Sequence, residues 1–264
     1  KMKLLINTYQ YLTKGIERHP VKITTYVEAP PGSGLGSSSA LVVALISAIA
    51  EYYSIPLGEY DIAEYAVEIE RNICNLPGGK QDQFAAAFGG FNFIEFLPDG
   101  RTIVNPLRLN FKTQNMLELS TVLYYVGKPR MSERVIENTA QNLLNNDEAT
   151  LQATHRIKSA AIEYKRSLLL GDVDKICETM NTYWKNKIQT NEKVVSPELL
   201  DSYEFALKNG AKAAKISGAG GGGHMILFTD FERRHQLISA LKERNVGRVV
   251  PFKFVKHGVD VWRV

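Results

Sequence analysis

The sequence predicts a globular protein that mixes α-helices with β-strands, in one large domain or two modest ones. Its 264 residues are enough to bury roughly 70–75% of the surface of the unfolded chain. Apolar residues make up 44% and charged residues 23% of the chain, a balance that excludes a largely disordered protein. Segments with helical periodicity and segments that alternate with period two both occur, which predicts a mixed fold.

Charge and cysteine content exclude several classes of function. The chain has 32 Lys and Arg against 28 Asp and Glu, a net charge of +4. Both signs are interspersed, whereas nucleic-acid binders gather positive charge on one face. Cys74 and Cys177 are too few for a disulfide framework or a Cys-rich zinc site, and they favour a cytoplasmic location. No run of eighteen apolar residues occurs, so we expect neither a transmembrane helix nor a membrane partner.

The first half of the chain is predicted to contain helices and short strands. Leu5, Tyr9 and Leu12 share one helical face, and Gly15 suits the end of that helix. Residues 21–29 are rich in β-branched side chains and partly alternate, which predicts a strand. The next elements predicted are a buried helix over about Ser37–Tyr53, a helix over about Asp61–Cys74 and a strand over Phe91–Phe96.

The second half is dominated by a long helical region, about residues 132–209. Breaks near Asn146, Gly171 and Pro197 predict four helices within it. The surrounding elements predicted are strands over 120–126, 225–228 and 247–255 and a helix over about 231–244. The character of the sequence changes near residues 112–119, where we place a candidate domain boundary.

A glycine-rich loop between the predicted strand and the buried helix is the strongest local signal. Residues 30–39 read P-P-G-S-G-L-G-S-S-S. A helix N-terminus offers unpaired N–H groups, and glycines let that backbone approach a phosphate. The loop has no Lys for a Walker A motif, and Ser37 replaces the third glycine of a dinucleotide fingerprint. No protein-kinase partner motif occurs. The simpler alternative is a turn in which a serine caps the helix.

Two carboxylates form a second candidate. Glu70 borders the apolar stripe formed by residues 62, 66, 69 and 73 of its helix, so it needs a partner, and a metal ion is one possibility. Asp82 follows Gly78-Gly79 in a loop where a general base is easily placed. The alternatives are a partly solvated Glu70 and a helix-capping Asp82.

A second glycine-rich segment lies at residues 215–224, which read K-I-S-G-A-G-G-G-G-H. Consecutive glycines carry a cost in backbone entropy, and close approach of a ligand is one use that compensates for it. A flexible hairpin loop is the alternative. His224 is interpreted as structural, and Trp184 as a core residue or an interface anchor.

Taken in order, these motifs resemble those of the GHMP small-molecule kinase superfamily. The match is P-P-G-S-G-L-G-S-S-S-A, then G-G-K-Q-D-Q, then K-I-S-G-A-G-G-G-G-H, over about residues 27–228. Within the superfamily, the chain is most similar to the D-glycero-D-manno-heptose 7-phosphate kinases. This similarity lies in G-S-G-L-G-S-S-S-A, in Q-D-Q-F-A-A-A-F-G-G-F-N-F-I-E-F and in the T-Y-W-K-N-K helix. The resemblance implies a two-domain α+β fold, with an N-terminal ATP-binding domain over 1–115 and a C-terminal domain over 116–264.

The resemblance also implies roles for residues of this chain. Asp82 matches the proposed catalytic base, and Ser38 and Glu70 match ligands of Mg²⁺. ATP is the implied phosphate donor, and a small-molecule sugar phosphate the implied acceptor. The residues implied to bind ATP are Pro31, Gly32, Ser33, Gly34, Leu35, Gly36, Ser37, Ser38, Ser39, Gly218, Gly220 and Gly221.

The implied activity is phosphorylation of the anomeric hydroxyl of a heptose 7-phosphate, giving the 1,7-bisphosphate. The alternatives are a kinase for an unphosphorylated sugar of the fucose or galactose type, and a non-catalytic ATP- or sugar-sensing module. A phosphorylated acceptor needs cationic clamps, for which Lys128, Arg130, Arg134 and Lys185 are candidates.

One departure concerns the N-terminus. Nothing in residues 1–21 resembles the N-terminal strand motif of the superfamily, so the N-terminal part of the fold is expected to be incomplete. We expect a monomer or a homodimer.

Overall fold

The computed structural model describes residues 2–30, 32–127, 132–190 and 195–263, without the side chains of 132–134. The chain forms two compact units. Unit 1 comprises residues 1–31, 36–107 and 255–264, and unit 2 comprises residues 32–35 and 108–254. The division into 1–115 and 116–264 stays a prediction.

Unit 1 consists mainly of helices with one antiparallel hairpin. The bounds of its elements are α1 Met2–Leu12, α2 Ser37–Tyr53, α3 Glu59–Val67, a π-helical turn Glu68–Ile73, α4 Gln81–Phe88, β1 Asn92–Phe96 and β2 Thr102–Pro106. Apolar side chains from α1 to α4 pack into one core that includes Ile46, Ile69 and Phe84, each at most 1% exposed. The helix predicted over 37–53 is confirmed, and its apolar residues on nearly every side explain why it is buried.

The strand predicted over residues 21–29 is wrong. This segment has no regular secondary structure and is almost wholly exposed. A strand needs a neighbour that pairs with its backbone groups. Among the described residues, β1 and β2 pair only with each other in unit 1. The β-branched composition of the segment therefore does not suffice to form a strand.

Unit 2 consists of helices and a four-stranded antiparallel sheet. The bounds of its elements are α5 Phe111–Ser120, β3 Thr121–Gly127, α6 Ser132–Leu144, α7 Glu148–Leu170, α8 Val173–Gln189, α9 Pro197–Lys208, β4 Ala211–Ile216, β5 Gly223–Thr229, a 3₁₀ turn Phe231–Arg233, α10 Arg234–Arg244 and β6 Arg248–Val250. The strand order is β4-β5-β3-β6. Trp184 is 1% exposed in the core of this unit, which confirms that it is a core residue.

The four helices predicted over residues 132–209 are confirmed, and local chemistry explains where they begin and end. Asp147, Asp172 and Ser196 are N-caps whose side chains accept a hydrogen bond from the first turn of α7, α8 and α9. Gly171 ends α7 in the left-handed conformation. No helix of the described ranges is long and apolar enough to cross a membrane.

Four elements were not predicted. β2 and β4 are short, and α5 occupies the segment that we interpreted as a domain boundary. Helix α4 occupies the segment in which we expected Asp82 to lie in a loop, so that expectation is wrong. The α5 sequence F-K-T-Q-N-M-L-E-L-S has no clear apolar stripe, so periodicity gives no signal there. Asn110 nonetheless caps this helix, because its side chain accepts a hydrogen bond from Thr113 N–H at 2.8 Å.

Candidate active site

Within the described part of the chain, the first turn of α2 presents backbone N–H groups without a side-chain cap. Its N-cap is Gly36, held at φ 66° in the left-handed region. The N–H of Ala40 donates to the Gly36 carbonyl at 2.9 Å, so the earlier N–H groups have no helical acceptor. The expected alternative of a serine N-cap is wrong, since Ser37 to Ser39 lie inside the helix. The partial positive charge of this terminus suits an anion.

Glu70 is buried and accepts hydrogen bonds from three side chains. It is 1% exposed. The hydroxyl of Ser38 donates at 2.8 Å and that of Ser39 at 2.6 Å. The amide of Gln83 donates to the same carboxylate. The alternative of a partly solvated Glu70 is therefore wrong, and the carboxylate is fixed beside the first turn of α2.

Glu70 lies in the π-helical turn of residues 68–73. The wider turn closes with a bond from Cys74 N–H to the Ile69 carbonyl at 2.9 Å. Such turns occur mostly as short insertions in α-helices, often at functional sites. Glu68, two residues earlier, instead accepts a bond from the exposed Asn72. The turn thus separates one buried acid from one surface acid.

Asp82 lies beside the glycine that begins α2. It is in the first turn of α4, whose N-cap is Lys80, so the alternative of a capping Asp82 is wrong. A Cβ added to Gly36 would be 3.1 Å from the Asp82 carboxyl carbon. Desolvation by the surrounding protein raises the pKa of Asp82, Glu70 raises it further, and the positive charge of Arg71 opposes both.

Arg71 is a site residue that the sequence analysis missed. Its guanidinium donates to the Gly79 carbonyl at 3.0 Å and to the Leu76 carbonyl at 3.2 Å. These bonds hold the loop that leads into α4. Gly78 packs on the guanidinium so closely that an added Cβ would be 2.7 Å from it. No motif in the sequence marks Arg71, and only its closeness to the Gly-Gly loop could have suggested the contact.

In unit 2, the start of the first glycine-rich loop contacts the second glycine-rich segment. The Ser217 hydroxyl donates to the Gly34 carbonyl at 2.8 Å. The His224 N–H donates to the Ser33 carbonyl at 3.1 Å, and His224 Nδ1 lies 2.8 Å from the same oxygen. His224 is 2% exposed, and its two bonds to the Ser33 carbonyl support the interpretation of His224 as a structural residue.

Glycine is required where these two backbones touch. Gly223 has φ 92°, and an added Cβ would be 2.2 Å from the Ser33 carbonyl oxygen. Gly218 has φ 67°, and its Cβ would be 2.9 Å from the Gly34 oxygen. The sequence suggested close approach of a ligand as the use of these glycines. The structure adds close approach of a second backbone segment.

The structure places the other expected site residues as follows. Gly32 and Leu35 are exposed, whereas Gly220 and Gly221 are buried. Lys185, a candidate clamp, is exposed on α8. The remaining candidates lie outside the described residues or have side chains outside them: Pro31, Lys128, Arg130 and Arg134.

The oxygen donors of Ser38 and Glu70 fit a magnesium ion. Mg²⁺ is usually held by one or two carboxylates, with water and substrate phosphates completing its shell. One buried carboxylate bonded to a hydroxyl at the N-terminus of a helix matches this donor set. The described residues contain no group of three or more His, Cys, Asp or Glu that could hold a metal ion by itself.

Family models match both halves of the chain. The model of the GHMP kinases N-terminal domain matches residues 3–90, and that of the GHMP kinases C-terminal domain matches residues 164–247. These ranges contain Ser38, Glu70, Asp82 and the second glycine-rich segment.

Three relatives illustrate the similarity. A D-glycero-alpha-D-manno-heptose 7-phosphate kinase of Campylobacter jejuni is 41% identical over all of this chain and 78% of its own length. A crystal structure of a D-glycero-D-manno-heptose 1-phosphate kinase from Bacteroides thetaiotaomicron matches all of this chain and 75% of its own, with a TM-score of 0.81 and 36% identity. A bifunctional fucokinase/GDP-fucose pyrophosphorylase of Arabidopsis thaliana is 27% identical over 84% of this chain and 21% of its own length.

The resemblance stated from the motifs is confirmed by these matches, and so is the two-domain α+β fold that it implied. The chain belongs to the GHMP kinase family.

Proposed function

We propose that this protein is an ATP-dependent kinase that phosphorylates the anomeric hydroxyl of a heptose 7-phosphate, giving the 1,7-bisphosphate. The first support is 41% identity to a relative that carries this substrate in its name. The observation that carries the chemistry is the placement of Ser38, Glu70 and Asp82 around the uncapped start of α2. We further propose a cytoplasmic enzyme, because both cysteines are free thiols.

The start of α2 supports a role in holding the phosphates of ATP. Its N–H groups and helix dipole favour negative charge. Gly36 lets the backbone turn into the helix without a side chain that would block the approach of a phosphate. Ser37 and Ser38 add hydroxyl groups on the accessible side of this turn.

Ser38 and Glu70 are the proposed ligands of Mg²⁺. When bound, the ion neutralises charge on the transferred phosphoryl group and its oxygens. Ser39 and Gln83 donate to the Glu70 carboxylate and thereby fix its orientation. Such supporting bonds keep a ligand in place before the metal binds.

Asp82 is the proposed general base. Its carboxylate accepts the proton of the anomeric hydroxyl while that oxygen forms a bond to the γ-phosphorus of ATP. The bond from this phosphorus to the oxygen bridging the β- and γ-phosphates breaks, and ADP leaves. The raised pKa of Asp82 makes its carboxylate a stronger base than an exposed aspartate.

A kinase for an unphosphorylated sugar is the second candidate. The fucokinase relative supports it, at lower identity than the heptose phosphate kinases. The two candidates differ in the acceptor pocket, because a phosphorylated acceptor requires cationic side chains and a neutral sugar does not.

An acceptor panel tests the proposal. ADP release is measured with ATP, Mg²⁺ and one acceptor at a time: heptose 7-phosphate, unphosphorylated heptose, fucose and galactose. We expect the highest kcat/KM with heptose 7-phosphate. A preference for fucose or galactose would overturn the proposal in favour of the second candidate. Absence of turnover with every sugar, together with intact ATP binding, would favour the sensing module.

A further inference from the structure

Helix α8 carries three lysines and strand β4 carries two, and their surroundings differ. Lys175 of α8 pairs with Glu178 at 2.9 Å. Lys212 of β4 pairs with Asp174 at 3.1 Å and with Asp230 at 2.8 Å. These carboxylates raise the pKa of both lysines. Both lysines therefore take part in ordinary surface ion pairs.

Two further lysines, Lys187 of α8 and Lys215 of β4, have no such partner among the described residues. Both are partly buried. Within the described ranges of the chain, neither forms a hydrogen bond or an ion pair with a carboxylate. Desolvation lowers the pKa of Lys187. Desolvation lowers the pKa of Lys215 as well, and the nearby charge of Lys187 lowers it further.

The geometry brings these two cations to one place. Helix α8 packs against β4. Tyr183 lies one turn before Lys187 on the same face of α8, and the Lys215 ammonium lies 4.8 Å from the centre of the Tyr183 ring. One cation–π contact does not compensate for two like charges drawn together and partly removed from water.

We propose that Lys187 and Lys215 bind the phosphate of the acceptor substrate. A phosphomonoester carries close to two negative charges at neutral pH, which matches two ammonium groups. Lys215 is the first residue of the second glycine-rich segment and lies two residues before Ser217, whose hydroxyl bonds the Gly34 carbonyl. The pair therefore lies at the start of that segment within unit 2. The assignment to the acceptor rests on the proposed function, in which the start of α2 holds the phosphates of ATP.

This assignment differs from the clamps expected from the sequence, of which Lys128, Arg130 and Arg134 stay predictions. Lys185, two residues before Lys187, points to a different side of α8 and is exposed. Sequence alone does not separate Lys185 from Lys187, because burial and the absence of a carboxylate partner are properties of the fold.

The test uses Lys187→Met, Lys215→Met and the double variant, with Lys175→Met and Lys212→Met as controls from the same two elements. We expect each site variant to raise KM for heptose 7-phosphate by about 10- to 100-fold, the effect of losing one hydrogen bond to a charged group. KM for ATP is expected to change less than twofold. Both controls are expected to leave both constants unchanged.

A thermal melt gives a second readout that does not need turnover. Heptose 7-phosphate, and inorganic phosphate at higher concentration, should raise the melting temperature of the original protein and of the controls. The double variant should melt at the same or a higher temperature without phosphate, because two unpaired, partly buried charges are removed. It should lose the shift caused by heptose 7-phosphate, and should keep only the part of the inorganic phosphate shift that arises at the start of α2.

The outcomes separate the two proposals. Equal rises in KM for ATP and for the sugar phosphate, or an unchanged KM with an unchanged phosphate shift, would overturn the lysine site. A lysine-dependent phosphate shift in a protein that does not phosphorylate heptose 7-phosphate would contradict the proposed function while supporting a phosphomonoester site.

Discussion

At the scale of single residues, Asp82 has surroundings that favour its protonated form. Desolvation is the largest cause of its raised pKa, and Glu70 adds to it. Catalytic groups often have pKa values shifted toward the working pH. The same shift has a consequence for stability, because a group with a raised folded pKa stabilises the fold at low pH and loses this contribution as the pH rises through that pKa.

We predict that Asp82→Asn lowers kcat by about 10²- to 10⁴-fold, the usual contribution of a general base, with nearly unchanged ATP binding. At neutral pH the same substitution should slightly raise the free energy of unfolding, because it removes a desolvated carboxylate. In the original protein, kcat/KM should fall on acidification at a pH above the ordinary aspartate pKa. Unchanged kcat, or a less stable variant at neutral pH, would contradict this role.

Glu70 has a different character, since three donors surround its carboxylate. Glu70→Gln replaces one oxygen by an amide, so one donor loses its acceptor. The Gln83 Oε1 has no partner among the described residues, and a rotation of the Gln83 amide would let it accept from the new group. We therefore expect a loss of about 1–2 kcal/mol in stability rather than unfolding.

The same Glu70→Gln variant should bind ATP more weakly in the presence of Mg²⁺ and equally well in its absence. Calorimetric titration with and without the ion measures this difference. Glu68→Gln is the matched control, because Glu68 lies on the same turn and its one hydrogen-bond partner among the described residues is the exposed Asn72. Equal effects of the two substitutions would contradict the metal assignment.

At the scale of elements, the two glycine-rich segments depend on backbone contacts that side chains cannot replace. Gly223→Ala would place a Cβ 2.2 Å from the Ser33 carbonyl at a φ of 92°. We predict a loss of about 1–3 kcal/mol in unfolding free energy and weaker ATP binding, as the segment moves off Ser33. Gly79→Ala is the control, since its Cβ would meet no atom within 4 Å. Denaturant titration that finds both variants equally stable would contradict this account.

Elements with strong local signals were predicted from the sequence. The breaks near Asn146, Gly171 and Pro197 were found because capping and left-handed residues act locally. The strand over residues 21–29 failed because strand formation depends on a partner. The π-helical turn could not be predicted either, since its sequence E-I-E-R-N-I fits an α-helix as well.

The candidate site likewise contains residues that could be predicted from the sequence and residues that could not. Ser38, Glu70 and Asp82 could be named from motif order, and the structure groups them in unit 1. Gln83, Arg71 and the pair of Lys187 and Lys215 could not be named. Their significance lies in which groups they contact or lack, and one sequence does not record contacts.

At the scale of the whole molecule, the C-terminal residues 255–264 belong to unit 1 although the chain reaches them through unit 2. Gly258 packs against α4, where an added Cβ would be 2.1 Å from the Ala87 carbonyl. Arg263 donates to the Glu51 carboxylate at 2.7 Å and to the Ser54 hydroxyl at 3.2 Å. Both ends of the segment thus contact the helices that carry Ser38 and Asp82.

We predict that Gly258→Ala destabilises unit 1 by about 1–3 kcal/mol, because the backbone must shift. Arg263→Ala should cost at most about 1 kcal/mol, since its ion pair is exposed. Differential scanning calorimetry of the two variants checks that Gly258→Ala is the more destabilising substitution. A larger effect for Arg263→Ala would show that the segment is held by its charge rather than by packing.

The most direct test of the central claim is ³¹P NMR of the product formed from ATP, Mg²⁺ and heptose 7-phosphate. The account predicts a new phosphate signal coupled to the anomeric proton, beside the retained 7-phosphate signal, with the original protein. Asp82→Asn should form this signal at a rate lower by orders of magnitude. A phosphate on any other hydroxyl, or formation of the 1,7-bisphosphate at an equal rate by Asp82→Asn, would contradict the account.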